Sequence, residues 1–376
     1  MPVVFGLFSL FIGLVSRNII FNKSFGILSL VFILVTVVST LLNSQNIISN
    51  TPINHLLFFV FCFFIYFSLP YSFLTNYNNY KILSSIILFG IVFSSSVAVV
   101  EFFTVNVLKL PFDYFPRPDV LTYEPLTIGG LIRARGFAEE SGHFAMYIIS
   151  MYFCIYSYVK TSFSKNKLLI INTLVITALL VTFSVSGIVF SFVSILIVIF
   201  ICNIKHPMRM FSYAIVFLFG VALLDFLIYS YSGYSFFINV VLNKLTASAS
   251  LTDRSFRLMS SIDFFMDNAY FSKVMFGFGA AFYDTYDLPT LVTLYPLLLV
   301  QFGIFGFLSF LVLIIYPFLI YLLKMDELDK PLICGYFYCV LFYMAISNYW
   351  FPWFWCILAY LSSQSKIQSR THKSIG

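Results

Sequence analysis

The chain has 376 residues, of which 61% are hydrophobic, 20% aromatic and only 10% charged, with a mean hydropathy of +0.97. Soluble globular chains carry roughly 25% charged residues, so a water-soluble fold is excluded. The formal charge of +6 is spread over short islands between long apolar runs, unlike the concentrated basic patch of a nucleic-acid-binding protein. The chain therefore reads as an all-α integral membrane protein, one polytopic domain over 1–376 with the lipid bilayer as its solvent.

Spanning helices need about 20 mostly apolar residues. Eleven such runs stand near 3–15, 24–42, 53–73, 82–103, 143–159, 168–184, 186–202, 211–231, 295–323, 332–347 and 349–363. The pairs within 168–202 and 332–363 read either as one bent hairpin or as two full spans. The start, MPVVFGLFSL, lacks the basic stretch and small-residue cleavage site of a secretory signal, so it reads as a retained membrane segment. Cys62, Cys154, Cys202, Cys334, Cys339 and Cys356 all lie in apolar runs without a CxxC pair. They read as packing residues.

Lys and Arg are retained in cytoplasmic loops, and alternate junctions are rich in them. Arg17, Lys23, Lys81, Lys160, Lys165, Lys167, Lys205, Arg209, Lys324, Lys330, Lys366, Arg370 and Lys373 stand on one side with three acids, Asp326, Glu327 and Asp329. The other eight basic residues share the opposite side with twelve acids. The first side is assigned as cytoplasmic, which leaves the N-terminus outside and the C-terminus inside. Two long loops, 104–142 and 232–294, then face outward, and nearly all polar chemistry lies in them. Long loops on a rigid scaffold are where function concentrates. A cytoplasmic nucleotide-sugar site has no loop to occupy.

The first loop opens with LPFDYFPRPDVLTYEP and closes with GGLIRARGFAEESGHFAMYI. Arg133 and Arg135 precede Gly136; Glu139, Glu140 and His143 follow, and Ser141 is placed to cap the next helix. A solvated turn with locally paired charges is the bland alternative, but so many charges at a membrane border favour function. In the second loop Thr252 or Asp253 would cap a helix bearing Arg254, Arg257 and Ser261 at i, i+3 and i+7. Phe256, Met259 and Phe264 would form its opposite, apolar stripe. Asp263 and Asp267 read as a solvated face rather than a metal site. The GFG at 277–279 would be a flexible turn where a backbone approaches a ligand.

Two outward arginine clusters match an anion carrying phosphate, because the guanidinium fork binds it bidentately and stays charged. A lipid-linked phosphate fits best. No DxD pair and no His/Asp cluster stands on the outer side, so no metal or other cofactor is expected and arginine alone would neutralise a leaving phosphate. Phe112, Tyr114, Phe115, Tyr123, Tyr231, Tyr234, Tyr283 and Tyr286 read mainly as interfacial aromatic belts, with sugar stacking as the sharper alternative. Asp225 reads as an outer helix end.

Four segments carry a resemblance: RARGFAEESGHFAMY (133–147), FSVSGIVFSF (183–192), DRSFRLMSSIDFF followed by GFG (253–279), and LYPLLLVQFGIFGFLSFL (294–311). Together they resemble the O-antigen polymerases and the related O-antigen ligases. These are integral membrane enzymes that handle undecaprenyl-diphosphate-linked oligosaccharides at the outer face of the bacterial inner membrane. The ligases carry a His and then Asn, Ser or Gln ahead of their G-x-x-G helix. Counting back from Gly303 and Gly306 puts Val292 and Thr293 there, which favours the polymerases. The family usually has a dozen spans, so eleven with an outward N-terminus departs from it.

The resemblance implies a glycosyltransferase whose donor is a growing glycan on undecaprenyl diphosphate and whose acceptor is a single repeat unit on the same lipid. It implies Arg135 and Arg254 for the diphosphate, Arg133 and Arg257 beside them, Glu140 as general base ahead of Glu139 from the G-F-x-x-E spacing, and His143 as a further contact. A chain-length regulator protein is the implied partner. A flippase of the same lipid-linked sugars is the alternative from another class. Transporters usually show repeats and midplane sites, and neither is visible in this sequence.

Overall fold

A computed structural model describes residues 20–44, 51–75, 77–112, 127–128, 131–203, 249–268, 270–324 and 328–375, with single positions at 212, 226 and 230. The expected span at 3–15 and nearly all of that at 211–231 lie outside the described residues. So do Asp225, Tyr114, Phe115, Tyr123, Tyr231 and Tyr234.

The described chain is mainly helical. In order it forms α1 (Lys23–Leu42), α2 (Thr51–Leu74) and α3 (Tyr77–Asn106), then the strands β1 (Thr127–Ile128) and β2 (Leu131–Ile132), which pair antiparallel. Next come α4 (Ser141–Ser162), α5 (Lys165–Val181) and α6 (Val185–Asn203). The second expected loop carries α7 (Ala249–Asn268), α8 (Phe271–Phe276) and α9 (Phe282–Thr285). The chain continues with α10 (Leu294–Lys324), α11 (Lys330–Phe342) and α12 (Pro352–Ile375). Among the described residues five helices, α1, α2, α3, α6 and α10, are long and apolar enough to cross a membrane.

The two ambiguous pairs resolve into separate helices. Residues 182–184 join α5 to α6, with Phe183 at φ 46°. The expected span 332–347 is cut short at Phe342. Residues 343–351 form a turn closed by the Trp355 indole, which donates to the Tyr349 carbonyl at 2.7 Å, and Pro352 then starts α12 because proline suits a first helical turn.

Burial in α1 shows what surrounds the protein. Ile27, Leu30, Leu34 and Leu41 are each about 60% exposed, while Ser29, Thr36, Ser39 and Thr40 are buried. Water would penalise such an apolar outer surface. Hydrocarbon favours it, and small or hydroxylated residues let helices approach inside a bilayer. Ile86, Phe89 and Phe93 of α3 are likewise exposed. The chain is a membrane protein.

Two compact units result. One is built from residues 1–83, 253–328 and 343–376. In it α10 packs on α1, α8 and α12, around Phe32, whose ring meets Phe59 at 4.7 Å, Phe310 at 5.5 Å and Phe302 at 6.2 Å. In α2, residues 62–68 are π-helical. Pro70 has no N–H to give to Tyr66, and the Leu69 N–H reaches back five residues to the Phe64 carbonyl instead.

The other unit is built from residues 84–252 and 329–342. Here α4 packs on α5, α6 and α11. A Cβ on Gly187 of α6 would stand 2.7 Å from the Ala145 Cβ of α4, so this crossing needs glycine. Within this unit, junctions that the charge alternation puts on one side meet each other. Glu101 meets Arg135 and Arg133 meets Thr182, whereas Ser85 meets Tyr158 and Ser157 meets Asp329.

Candidate functional site

In the unit of residues 84–252 and 329–342, the segment 131–136 is held by α3 and by the α5–α6 turn. The Asn106 amide clamps Ile132 from both sides, accepting from its N–H at 2.7 Å and donating to its carbonyl at 2.8 Å. One oxygen of buried Glu101 accepts the amides of Arg135 at 2.9 Å and Gly136 at 2.7 Å. The Ala134 N–H bonds the Val181 carbonyl, and the Arg133 Nε donates to the Thr182 carbonyl at 3.0 Å. Gly136 turns the chain at φ +54°, with its missing Cβ facing the Phe144 ring at 2.8 Å.

Arg133 is buried. Burial pulls its guanidinium down to about 10, and the Glu140 charge works in the opposite direction. It remains a cation at neutral pH. The Arg135 guanidinium is half-buried and donates to the Glu139 carbonyl at 3.4 Å. Ser141 is not the cap of α4, contrary to expectation. Glu140 occupies that position in extended backbone, its carbonyl accepting the Phe144 N–H at 3.1 Å, and Ser141 is buried as the first helical residue. Glu139, Glu140 and His143 are half-buried. Neither glutamate side chain has a hydrogen-bond partner among the described residues.

The helix α7 already runs from Ala249 among the described residues, so Thr252 and Asp253 sit inside it instead of capping it. The Arg254 guanidinium donates to the Ala345 carbonyl at 3.0 Å and has no carboxylate partner among the described residues. Arg257 pairs with exposed Asp253 at 2.8 Å and donates to the Thr290 carbonyl at 3.4 Å. Ser261, on the same face, is fully buried. The expected apolar stripe divides: Phe264 joins Phe278 at 4.9 Å and Tyr286 at 4.8 Å, whereas Phe256 and Met259 face outward, about 60% exposed. Asp263 and Asp267 are exposed, as expected.

The GFG turn differs from its reading as a ligand approach. Another backbone approaches it: the Phe278 and Gly279 amides donate to the Val300 and Gln301 carbonyls of α10 at 3.0 and 2.8 Å. Beside it, buried Lys273 bonds the Asn43 side-chain oxygen and lies 5.2 Å from the Phe278 ring centroid.

Sequence reasoning missed His55 as well. Its Nδ1 is 3.0 Å from the Tyr349 hydroxyl and its Nε2 is 2.9 Å from the Tyr283 hydroxyl. Burial, with the Asp284 charge adding to it, pushes Tyr283 up to about 12, so its phenol stays protonated at neutral pH. The signal available was that His55 is a histidine in an apolar run, and Glu101 an acid in another; both are rare inside spans. Among the described residues no cluster of His, Cys, Asp and Glu could hold a metal ion.

No family model matches this chain, and neither a curated protein nor a solved structure matches it.

Proposed function

We propose that this chain is a glycosyltransferase that polymerises undecaprenyl-diphosphate-linked oligosaccharide repeat units into O-antigen or a similar surface polysaccharide. It works at the outer face of the bacterial inner membrane, alongside a chain-length regulator. The observation that carries the reading is Arg254: a half-buried guanidinium anchored on the Ala345 carbonyl, without a carboxylate among the described residues, at the border of an apolar helix bundle. A cation kept in that setting is matched by an anion delivered from outside, and a lipid diphosphate supplies one. Arg257 and Arg133, each also anchored on a carbonyl, and Arg135 add to this.

In the reaction an acceptor hydroxyl attacks the anomeric carbon of the donor glycan as undecaprenyl diphosphate leaves. Arginines held in place before the reaction stabilise the charge that develops on the leaving diphosphate. The resemblance makes Glu140 the acceptor of the hydroxyl proton. Its carboxylate also offsets the charge of Arg133, and the variants below separate these two roles.

Deleting the gene and running surface glycans by electrophoresis tests the reading. The expected result is a ladder that collapses to one repeat unit. Intact lipid-linked polymer that never reaches its acceptor means a ligase, and loss of all outward-facing repeat units means a flippase.

A further inference from the structure

We infer that Tyr283, backed by His55, takes the proton of the acceptor hydroxyl in the proposed transfer, an inference that rests on the polymerase reading and moves that step away from Glu140.

Three segments far apart in sequence build this group. His55 lies in the first turns of α2, Tyr283 in α9 and Tyr349 in the turn before α12. The proton relay requires one tautomer: the single Tyr349 hydroxyl proton goes to the His55 carbonyl at 3.3 Å, Nδ1 carries the ring proton and donates to the Tyr349 oxygen at 3.0 Å, and the Nε2 lone pair accepts the Tyr283 O–H at 2.9 Å. This is a base, an orienting group behind it and a hydroxyl in front, the arrangement by which side chains move protons in enzymes.

The group lies on a gradient of exposure. Tyr349 is fully buried and stacks on Phe59, with ring centroids 4.1 Å apart. His55 is buried, Tyr283 half-buried and Asp284 exposed. Of the three, Tyr283 is the least buried residue and so the one nearest a substrate that arrives from solvent.

Its placement links it to the arginines. The turn that carries Tyr349 also carries Ala345, whose carbonyl holds Arg254. The stretch that carries Tyr283 also carries Thr290, whose carbonyl holds Arg257. Two short segments thus position both the cations for the diphosphate and the hydroxyl for the proton, within one unit of the protein.

The step balances. The acceptor oxygen bonds to the anomeric carbon as the bond from that carbon to the diphosphate oxygen breaks, its electron pair leaving with the diphosphate. The acceptor proton passes to the Tyr283 oxygen while the Tyr283 proton passes to His55 Nε2, which becomes an imidazolium.

The test uses the full chain purified into proteoliposomes with an undecaprenyl-diphosphate-linked repeat unit as both donor and acceptor. Tyr283→Phe removes one hydroxyl from a half-buried residue. His55→Gln keeps a hydrogen-bond acceptor for Tyr283 and loses basicity. Both should lower kcat by about 10²- to 10⁴-fold with KM unchanged, whereas a purely structural role predicts a mild His55→Gln. Wild-type kcat in Tyr283→Phe, or a loss confined to KM, overturns the inference, and Tyr283→Phe decides it even where His55→Gln fails to fold. A folded wild-type protein that makes no polymer overturns the polymerase reading and this inference with it. Polymer from wild type and Tyr283→Phe alike overturns the inference alone.

Discussion

Gly277 and Gly303 meet backbone to backbone: a Cβ on Gly303 would stand 2.6 Å from the Gly277 amide nitrogen, and one on Gly277 would stand 2.4 Å from the Gln301 carbonyl carbon. Both have φ near +70° with ψ near −167°, a region open essentially to glycine alone. Two of the segments behind the family resemblance, the GFG turn and the G-x-x-G helix, are thus one structural joint. The break it makes in α10 also leaves the Val300 and Gln301 carbonyls free to accept the amides of the turn.

Either Gly277→Ala or Gly303→Ala should therefore cost about 3 kcal/mol or more, from strain together with a clash that neither backbone can relieve. Gly26→Ala is the control. Its Cβ meets nothing within 4 Å on an exposed helix face, and the change should be neutral or stabilise by up to about 1 kcal/mol. Thermal unfolding of the purified protein in detergent measures all three, and a Gly303→Ala protein as stable as wild type contradicts the close crossing.

Arg254→Ala should abolish polymer at normal protein level, since it removes a charge-assisted contact worth about 1.5 to 3 kcal/mol. Lys at 254 should rescue only in part, because it keeps the charge without the planar fork. Arg257→Ala should be milder, as that guanidinium already shares its charge with exposed Asp253. Polymer length and amount on gels, scaled to protein level, give the comparison. Full activity of Arg254→Ala removes the diphosphate role from that residue.

Two glutamates should fail in different ways. Glu101→Gln weakens a carboxylate that holds two successive amides, so stability should drop by about 1.5 to 3 kcal/mol and the Arg133–Arg135 segment should loosen. Glu140→Gln removes the charge opposite Arg133, and its loss should appear as weaker binding of the lipid-linked donor. Donor affinity and single-turnover rate, measured separately, distinguish the two roles of Glu140. A fall of about 10²- to 10⁴-fold in turnover at saturating donor would return the proton to Glu140.

Asp329 predicts a pH dependence. It caps α11, its Oδ1 accepting the Leu332 N–H at 3.2 Å, and burial raises its carboxyl above the usual 3.8, with hydrogen bonds from Ser157 and Leu332 opposing. An acid raised on folding stabilises the fold while protonated, below its unfolded value, and that contribution is lost as pH rises through its folded value. At neutral pH the fold therefore carries a half-buried charge. Asp329→Asn keeps an equivalent cap and should raise Tm at neutral pH, with no gain below the ordinary carboxylate range. A lower Tm at neutral pH would mean that the helix N-terminus favours the charge.

Composition and period are local properties, and what depends on them was legible in the chain. The long apolar runs, the i, i+3, i+7 face of Arg254, Arg257 and Ser261, and the crowding of charge at 133–143 all come from residues within one or two turns of each other. The partners that give those residues their environment are set by burial, and a buried polar group finds its partner wherever the fold brings one. Glu101 reaches Arg135 across 34 residues, and His55 reaches Tyr283 across 228 and Tyr349 across 294. For the same reason the GFG turn read as an open approach for a ligand. Its neighbour is the backbone of α10, and only the folded packing of α8 against α10 puts it there.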